Sequence, residues 1–249
     1  MSLGAHLLEL RKRLFISAIA IVVGGVAGWL LSEWVWDALR EPVTQIIETQ
    51  SRDAEISYPT ITGAFDLRLQ IAFTLGVVIS APVWLYQIFA FLVPGLTSKE
   101  RKFTYGFLFT AVPLFFAGCA AGWYVLPNIV ELMTSFVPKE DVSFLDAKIY
   151  FDFVLKLVLA IGIAFVLPVF VVLLNFAGVI SASSIIKSWR VAILVIVLFT
   201  AFATPAADVI SMFMLAVPMI VLYFTAWFIA HLHDRRVAKR NQLEFGAPV

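Results

Sequence analysis

Five stretches of this chain, Leu14–Trp36, Leu67–Val93, Phe103–Leu126, Phe151–Ala177 and Val191–Ile229, are long and mostly apolar. A helix rises about 1.5 Å per residue, so roughly 20 such residues cross a hydrocarbon core of about 30 Å. Lipid offers the backbone no hydrogen bonds, and helices supply their own. The fold class that follows is an all-α polytopic membrane protein. Composition agrees: 61% of the 249 residues are hydrophobic and 14% are charged, against about 45–50% and about 25% in soluble domains. This balance excludes intrinsic disorder, and a single cysteine, Cys119, excludes a disulfide-stapled fold. A net charge of +1 with no basic domain excludes a nucleic-acid binder. The spans leave no room for a separate catalytic domain.

The last run is too long for one span, and it holds a single charge, Asp208. Thr204-Pro205-Ala206-Ala207-Asp208 interrupts it with a helix breaker, small residues and a candidate N-cap. It is expected to form two short helices, 189–203 and 209–231. That makes six spans in one membrane domain, 1–249, with 232–249 as a tail. Helix five, at roughly 22 Å, falls short of the hydrocarbon core and must thin the bilayer or sit displaced toward one face.

Lys and Arg fix the expected orientation. The N-terminal segment, the loops after spans two and four, and the C-terminal tail hold 12 of the 18 basic residues. The opposite loops, 37–66 and 127–150, hold Arg40, Arg52, Lys139 and Lys148 against ten acids. Both termini are expected in the cytoplasm, which requires an even number of spans. The first apolar run exceeds a signal-peptide h-region and is expected to remain as a span. Pro82, Pro113, Pro168 and Pro218 fall inside spans. They fit either ordinary kinks tolerated by packing or a bundle bent into a concave wall.

Catalytic patterns are missing. There is no P-loop, no HExxH, no CxxC and no nucleophile elbow, and His231 and His233 fit juxtamembrane solvation rather than metal binding. No enzyme, cofactor or metal site is expected. A small-solute secondary transporter would need ionisable groups near the midplane. Glu33, Arg68, Asp152, Lys156 and Asp208 all lie near span ends, and helix centres carry residues such as Thr74, Thr110, Asn175 and Thr200. That alternative stays open but poorly supported.

Two carboxylates stand inside basic clusters. Glu9 lies in His6-Leu7-Leu8-Glu9-Leu10-Arg11-Lys12-Arg13-Leu14, where Leu3, Leu7, Leu10 and Leu14 make an amphipathic lead-in. Glu100 lies in Thr97-Ser98-Lys99-Glu100-Arg101-Lys102. In one reading Glu9 pairs with Arg13 at i,i+4 and Glu100 only breaks a positive run. In the other, both carboxylates receive guanidinium groups from a partner.

Residues 6–14 resemble the N-terminal signature of the TatC family, the six-span core of the twin-arginine protein translocase. So do Ser80-Ala81-Pro82-Val83-Trp84-Leu85-Tyr86-Gln87-Ile88-Phe89-Ala90-Phe91, Pro94-Gly95-Leu96, 99–102, 204–209 and Leu215-Ala216-Val217-Pro218-Met219. The resemblance implies a glove-like, non-enzymatic receptor in the bacterial plasma (inner) membrane. It would bind the twin-arginine signal peptides of folded cargo on the cytoplasmic face. It would also recruit TatA- and TatB-type single-span partners, with export driven by the proton-motive force and self-association within a receptor complex. Glu9 and Glu100 match the family's arginine-holding glutamates, and Arg11, Pro82, Gln87, Phe91 and Arg101 match positions that shape the signal site. Pro42, in the first outer loop, and Asp208 match positions tied to transport. The helix-five face of Val191, Leu194, Val195 and Leu198, with Thr204, is the implied partner-docking surface.

Two departures stand out. Many relatives carry a glutamate two residues before the proline of helix four, where this chain has Val166; a glutamine of the last hairpin is Met212 here. A purely structural scaffold, the third reading, would leave Glu9 and Glu100 dispensable.

Overall fold

The computed structural model describes residues 3–50, 54–57, 60–92, 101–135, 143–204 and 209–245. In chain order the elements are α1 (Leu3–Gln50), β1 (Ala54–Ser57), α2 (Gly63–Ile79), α3 (Ala81–Leu92), α4 (Arg101–Ser135), β2 (Ser143–Asp146), α5 (Ala147–Phe176), α6 (Ala182–Lys187), α7 (Trp189–Ala203) and α8 (Val209–Phe245). Among the described residues, α1, α4, α5 and α8 are each long and apolar enough to cross a membrane, and α2 with α3 forms a fifth, bent candidate. α7 is apolar but shorter. The chain is an all-α membrane protein.

The second apolar run is not one kinked helix. It breaks at Ser80, where α2 and α3 meet at 55°. Pro82 has no N–H to offer the carbonyl of Val78, one turn back, so the ladder cannot continue through this point. The Trp84 indole N–H reaches back across the break to the carbonyl of Val77, at 2.8 Å. Pro82 therefore lies in the first turn of α3, at a break between two helices rather than inside one kinked helix.

Two helices outrun their expected spans. α1 has 48 residues and includes Pro42, which was expected in a loop. α8 has 37 residues and continues from the apolar run through His231 and Arg240, so the sixth helix is not short. α8 contains no proline after Pro218 and no glycine, so nothing stops the helix where the apolar run ends. α4 likewise runs through Pro127 to Ser135. By contrast α7 spans the expected residues, and it ends at Thr204, whose hydroxyl donates to the carbonyl of Thr200 at 2.9 Å.

Small residues let helices touch. A Cβ built on Gly24 would lie 2.7 Å from the carbonyl oxygen of Gly76, and one on Gly76 would lie 2.7 Å from the backbone nitrogen of Gly25. α1 and α2 therefore pack backbone to backbone, the contact by which membrane helices gain dispersion energy without a hydrophobic drive. α4 and α5 do the same at Gly118 and Gly162. One core gathers Leu39, Leu67, Ile71, Phe151, Ile161 and Leu215 from α1, α2, α5 and α8. A second gathers Leu85, Phe89, Phe115, Val166 and Leu173 from α3, α4 and α5, with Phe89 stacked on Phe170 at 4.5 Å. Val166 thus fills a packed apolar position, and Met212 is half-buried on α8.

β1 and β2 pair in parallel, Ala54 opposite Ser143 through Ser57 opposite Asp146. Asp146 then caps α5, accepting from the amides of Lys148 and Ile149.

Candidate functional site

The N-terminal end of α1 lies beside α3, and together they build a polar pocket. Leu8, Glu9, Lys12, Arg13 and Ile16 of α1 and Gln87 of α3 line it, around a space of about 460 Å³. Helical spacing puts Glu9, Arg13 and Ile16 on one face of α1, turned toward α3. Arg13 donates from Nε and Nη2 to Oε1 of Glu9, at 3.0 and 2.6 Å, and from Nη1 to Oε1 of Gln87, at 3.2 Å. Oε2 of Glu9 has no hydrogen-bond partner among the described residues. One turn away His6 stacks on Phe91, ring centroids 4.5 Å apart and planes 17° from parallel.

This geometry brings together Glu9, Gln87 and Phe91, from segments far apart in sequence. Arg11 is exposed on the other side of α1, and Pro82 is exposed at the start of α3, more than a turn from Gln87. Arg101 is the first residue of α4, and Pro42 lies within α1. Glu100 and Asp208 lie outside the described residues. Leu8, Lys12, Arg13 and Ile16 line the pocket without an assigned role, and His6 stands beside it; the signal for Arg13 was its i,i+4 spacing from Glu9, and nothing in the sequence marks the partner of His6.

The pocket holds one carboxylate, Glu9, beside two cations, Lys12 and Arg13, and the second oxygen of Glu9 leaves it an acceptor. A carboxylate with one oxygen unpaired, flanked by an amide and a stacked aromatic pair, accepts charge-assisted hydrogen bonds from a guanidinium. It has no nucleophile and no metal-ligating set.

On α7, Val191, Leu194, Val195 and Leu198 are exposed along one face. Thr204 is buried and its hydroxyl proton is committed to Thr200, so it offers no donor to a neighbour. A further polar group joins α1 to α2. Arg68 donates to the Ser32 hydroxyl at 3.1 Å and to Glu33 at 3.0 Å, and lies over the Trp29 ring at 4.7 Å. Asp152 of α5 accepts from Gln70 of α2 and from Lys156. These charges are paired with one another and lie near the ends of the apolar runs, not at their centres.

Comparison with known proteins places the whole arrangement. The family model described as TatC, Sec-independent protein translocase protein, matches residues 5–218. The Sec-independent protein translocase protein TatC of Xylanimonas cellulosilytica is 41% identical over 241 residues, covering 97% of this chain and 87% of the relative. TatCy of Bacillus subtilis is 32% identical over 243 residues, covering 97% and 93%. A crystal structure described as the twin arginine translocase receptor TatC in DDM superposes with a TM-score of 0.76 at 30% identity, covering 90% of this chain and 99% of that one. The chain belongs to the TatC family of Sec-independent protein translocase proteins.

Proposed function

We propose that this translocase subunit is the receptor for twin-arginine signal peptides, with the α1–α3 pocket as part of the site. The observation that carries this reading is the half-unpaired Glu9 carboxylate beside Gln87 and the His6–Phe91 stack. An incoming arginine takes Oε2 of Glu9, and Glu100 takes the second arginine of the pair. Arg11, Pro82 and Arg101 shape the surroundings, and Pro42 and Asp208 serve transport. TatA- and TatB-type single-span helices dock on the exposed face of α7, and copies of the receptor associate. The Lys/Arg distribution supports both termini in the cytoplasm, in the plasma (inner) membrane of a bacterium. With no nucleotide-binding motif in the chain, the proton-motive force drives export. The family match does not favour a small-solute transporter.

The test is binding of a fluorescent Ser/Thr-Arg-Arg peptide to the purified full chain. A charge-assisted pair contributes about 1.5–3 kcal/mol, so Glu9→Ala or Glu100→Ala should each weaken binding roughly 10- to 150-fold. Glu100→Gln should fail too, because an amide supplies a donor where an acceptor is needed. Wild-type affinity in Glu100→Ala would remove Glu100 from the site, and wild-type affinity in both variants would overturn the reading.

A further inference from the structure

A groove of about 350 Å³ runs between α4, α5 and α8, away from the Glu9 pocket. Gly106 and Thr110 of α4, Pro168 and Val172 of α5, and Thr225 and Ile229 of α8 line it. Gly106, Thr110, Thr225 and Ile229 are exposed. Along membrane-spanning helices an exposed surface faces lipid, so the groove opens sideways toward acyl chains. Its two hydroxyls turn back on their own helices: Thr110 donates to the carbonyl of Gly106 at 3.0 Å and Thr225 to that of Val221 at 2.8 Å. With both hydroxyl protons spent, a polar solute finds no donor here, while a hydrocarbon chain loses nothing on entry.

The same face of α8 ends in a cation. Arg236 follows Ile229 by seven residues and Thr225 by eleven, two and three helical turns, so the three are aligned. Seven residues rise about 10 Å, which carries Arg236 from the end of the groove into the headgroup layer. Arg240 continues the same face one turn further. Arg236 is exposed and makes no ion pair among the described residues. The acid beside it in sequence, Asp234, is committed elsewhere. It accepts from the Asn175 side chain at 2.9 Å and from the backbone amide of Ala182 at 2.8 Å. His233 stacks on Phe176 at 4.0 Å and holds this stretch of α8 against α5, at the mouth of the groove.

We propose that the groove holds an acyl chain of an anionic phospholipid whose phosphate is met by Arg236. The groove selects hydrocarbon, and the guanidinium, a good match for phosphate oxygens, selects the headgroup charge. The lipid is then a bound component of the protein, seated between three helices beside the middle of α8.

Native mass spectrometry of the full chain, purified with equal amounts of phosphatidylglycerol and phosphatidylcholine, tests this. The wild type should retain phosphatidylglycerol over phosphatidylcholine roughly fivefold, the effect of one basic residue at the surface. Arg236→Gln should bring the two lipids to parity, while Arg235→Gln, about 100° round the helix, should keep the preference. Gly106→Leu should strip both lipids, because a Cβ there meets nothing within 4 Å and the side chain can fill the groove without a clash. Thr225→Leu fills it from the opposite wall and replaces that variant should it fail to fold. Equal loss of preference in Arg235→Gln and Arg236→Gln would mean diffuse surface attraction and overturn the proposal. Unchanged retention in the groove-filled variants would also overturn it. So would a single-span protein crosslinked at Gly106→Cys with no lipid retained by the wild type.

Discussion

Arg13 donates through both Nε and Nη2 to one oxygen of Glu9, at 3.0 and 2.6 Å, and the other oxygen has no hydrogen-bond partner among the described residues. The two readings of Glu9 that its sequence context allows are therefore compatible. An intrahelical partner orients the carboxylate without exhausting it. Because an i,i+4 pair contributes only about 0.3–0.5 kcal/mol, Glu9→Ala should leave thermal unfolding in detergent nearly unchanged while peptide binding falls. A large drop in unfolding temperature would make Glu9 a stability residue instead.

The glycine contact between α1 and α2 should not tolerate side chains. Gly76→Val places a Cβ within 2.7 Å of backbone on α1, and such overpacking costs about 1–3 kcal/mol. Gly4→Ala, where a Cβ meets nothing within 4 Å, should be neutral or stabilising by under about 1 kcal/mol. Unfolding curves of the two variants in the same detergent compare them directly.

Asp234 should matter to the C-terminal helix. Asp234→Ala leaves the first amide of α6 without its acceptor, and leaves Asn175, whose oxygen is already buried with no partner among the described residues, only the carbonyl of Ile180. An orphaned buried donor costs about 1–3 kcal/mol. Limited proteolysis after Arg235 and Arg236 should accelerate in this variant, and Asp234→Asn, which keeps one acceptor, should fall between.

The exposed stripe of α7 gives a docking prediction. Leu198→Trp should lower co-purification of a TatB-type partner and spare peptide binding. Unchanged recovery across a tryptophan scan of Val191, Leu194, Val195 and Leu198 would move the docking surface elsewhere.

Side-specific labelling tests orientation. A cysteine at Thr60 should react with an impermeant reagent from outside the cell, and one at Ser183 should not; both positions are exposed. Native Cys119 is buried and should stay silent in both assays.

What the sequence made legible follows what lipid reads. Hydropathy located every apolar run, and Thr204-Pro205 marked the end of α7 to the residue. Helix length escaped it, because hydropathy reports where lipid ends and not where a helix ends. The polar stretches 41–50 of α1 and 231–245 of α8 continue as helix. Pro82 signalled a disturbance, but whether a proline bends a helix or splits it depends on the packing around it, here with the Trp84 indole bonded across the break to the carbonyl of Val77. The Glu9 pocket was half visible: the Arg13 spacing was readable, while the approach of Gln87 and Phe91 depends on how α3 packs on α1. Two strands of four residues carry too little alternation to be seen at all.

Those two strands settle a question of parity. β1 follows α1 and β2 precedes α5, and four residues of each are joined by register. Backbones that share hydrogen bonds occupy one compartment, so the chain between them must cross the bilayer an even number of times. α4, long and apolar enough to span, counts as one crossing. The bent pair α2 and α3 must then count once, as a single traverse with an elbow, and not as a hairpin that dips in and returns.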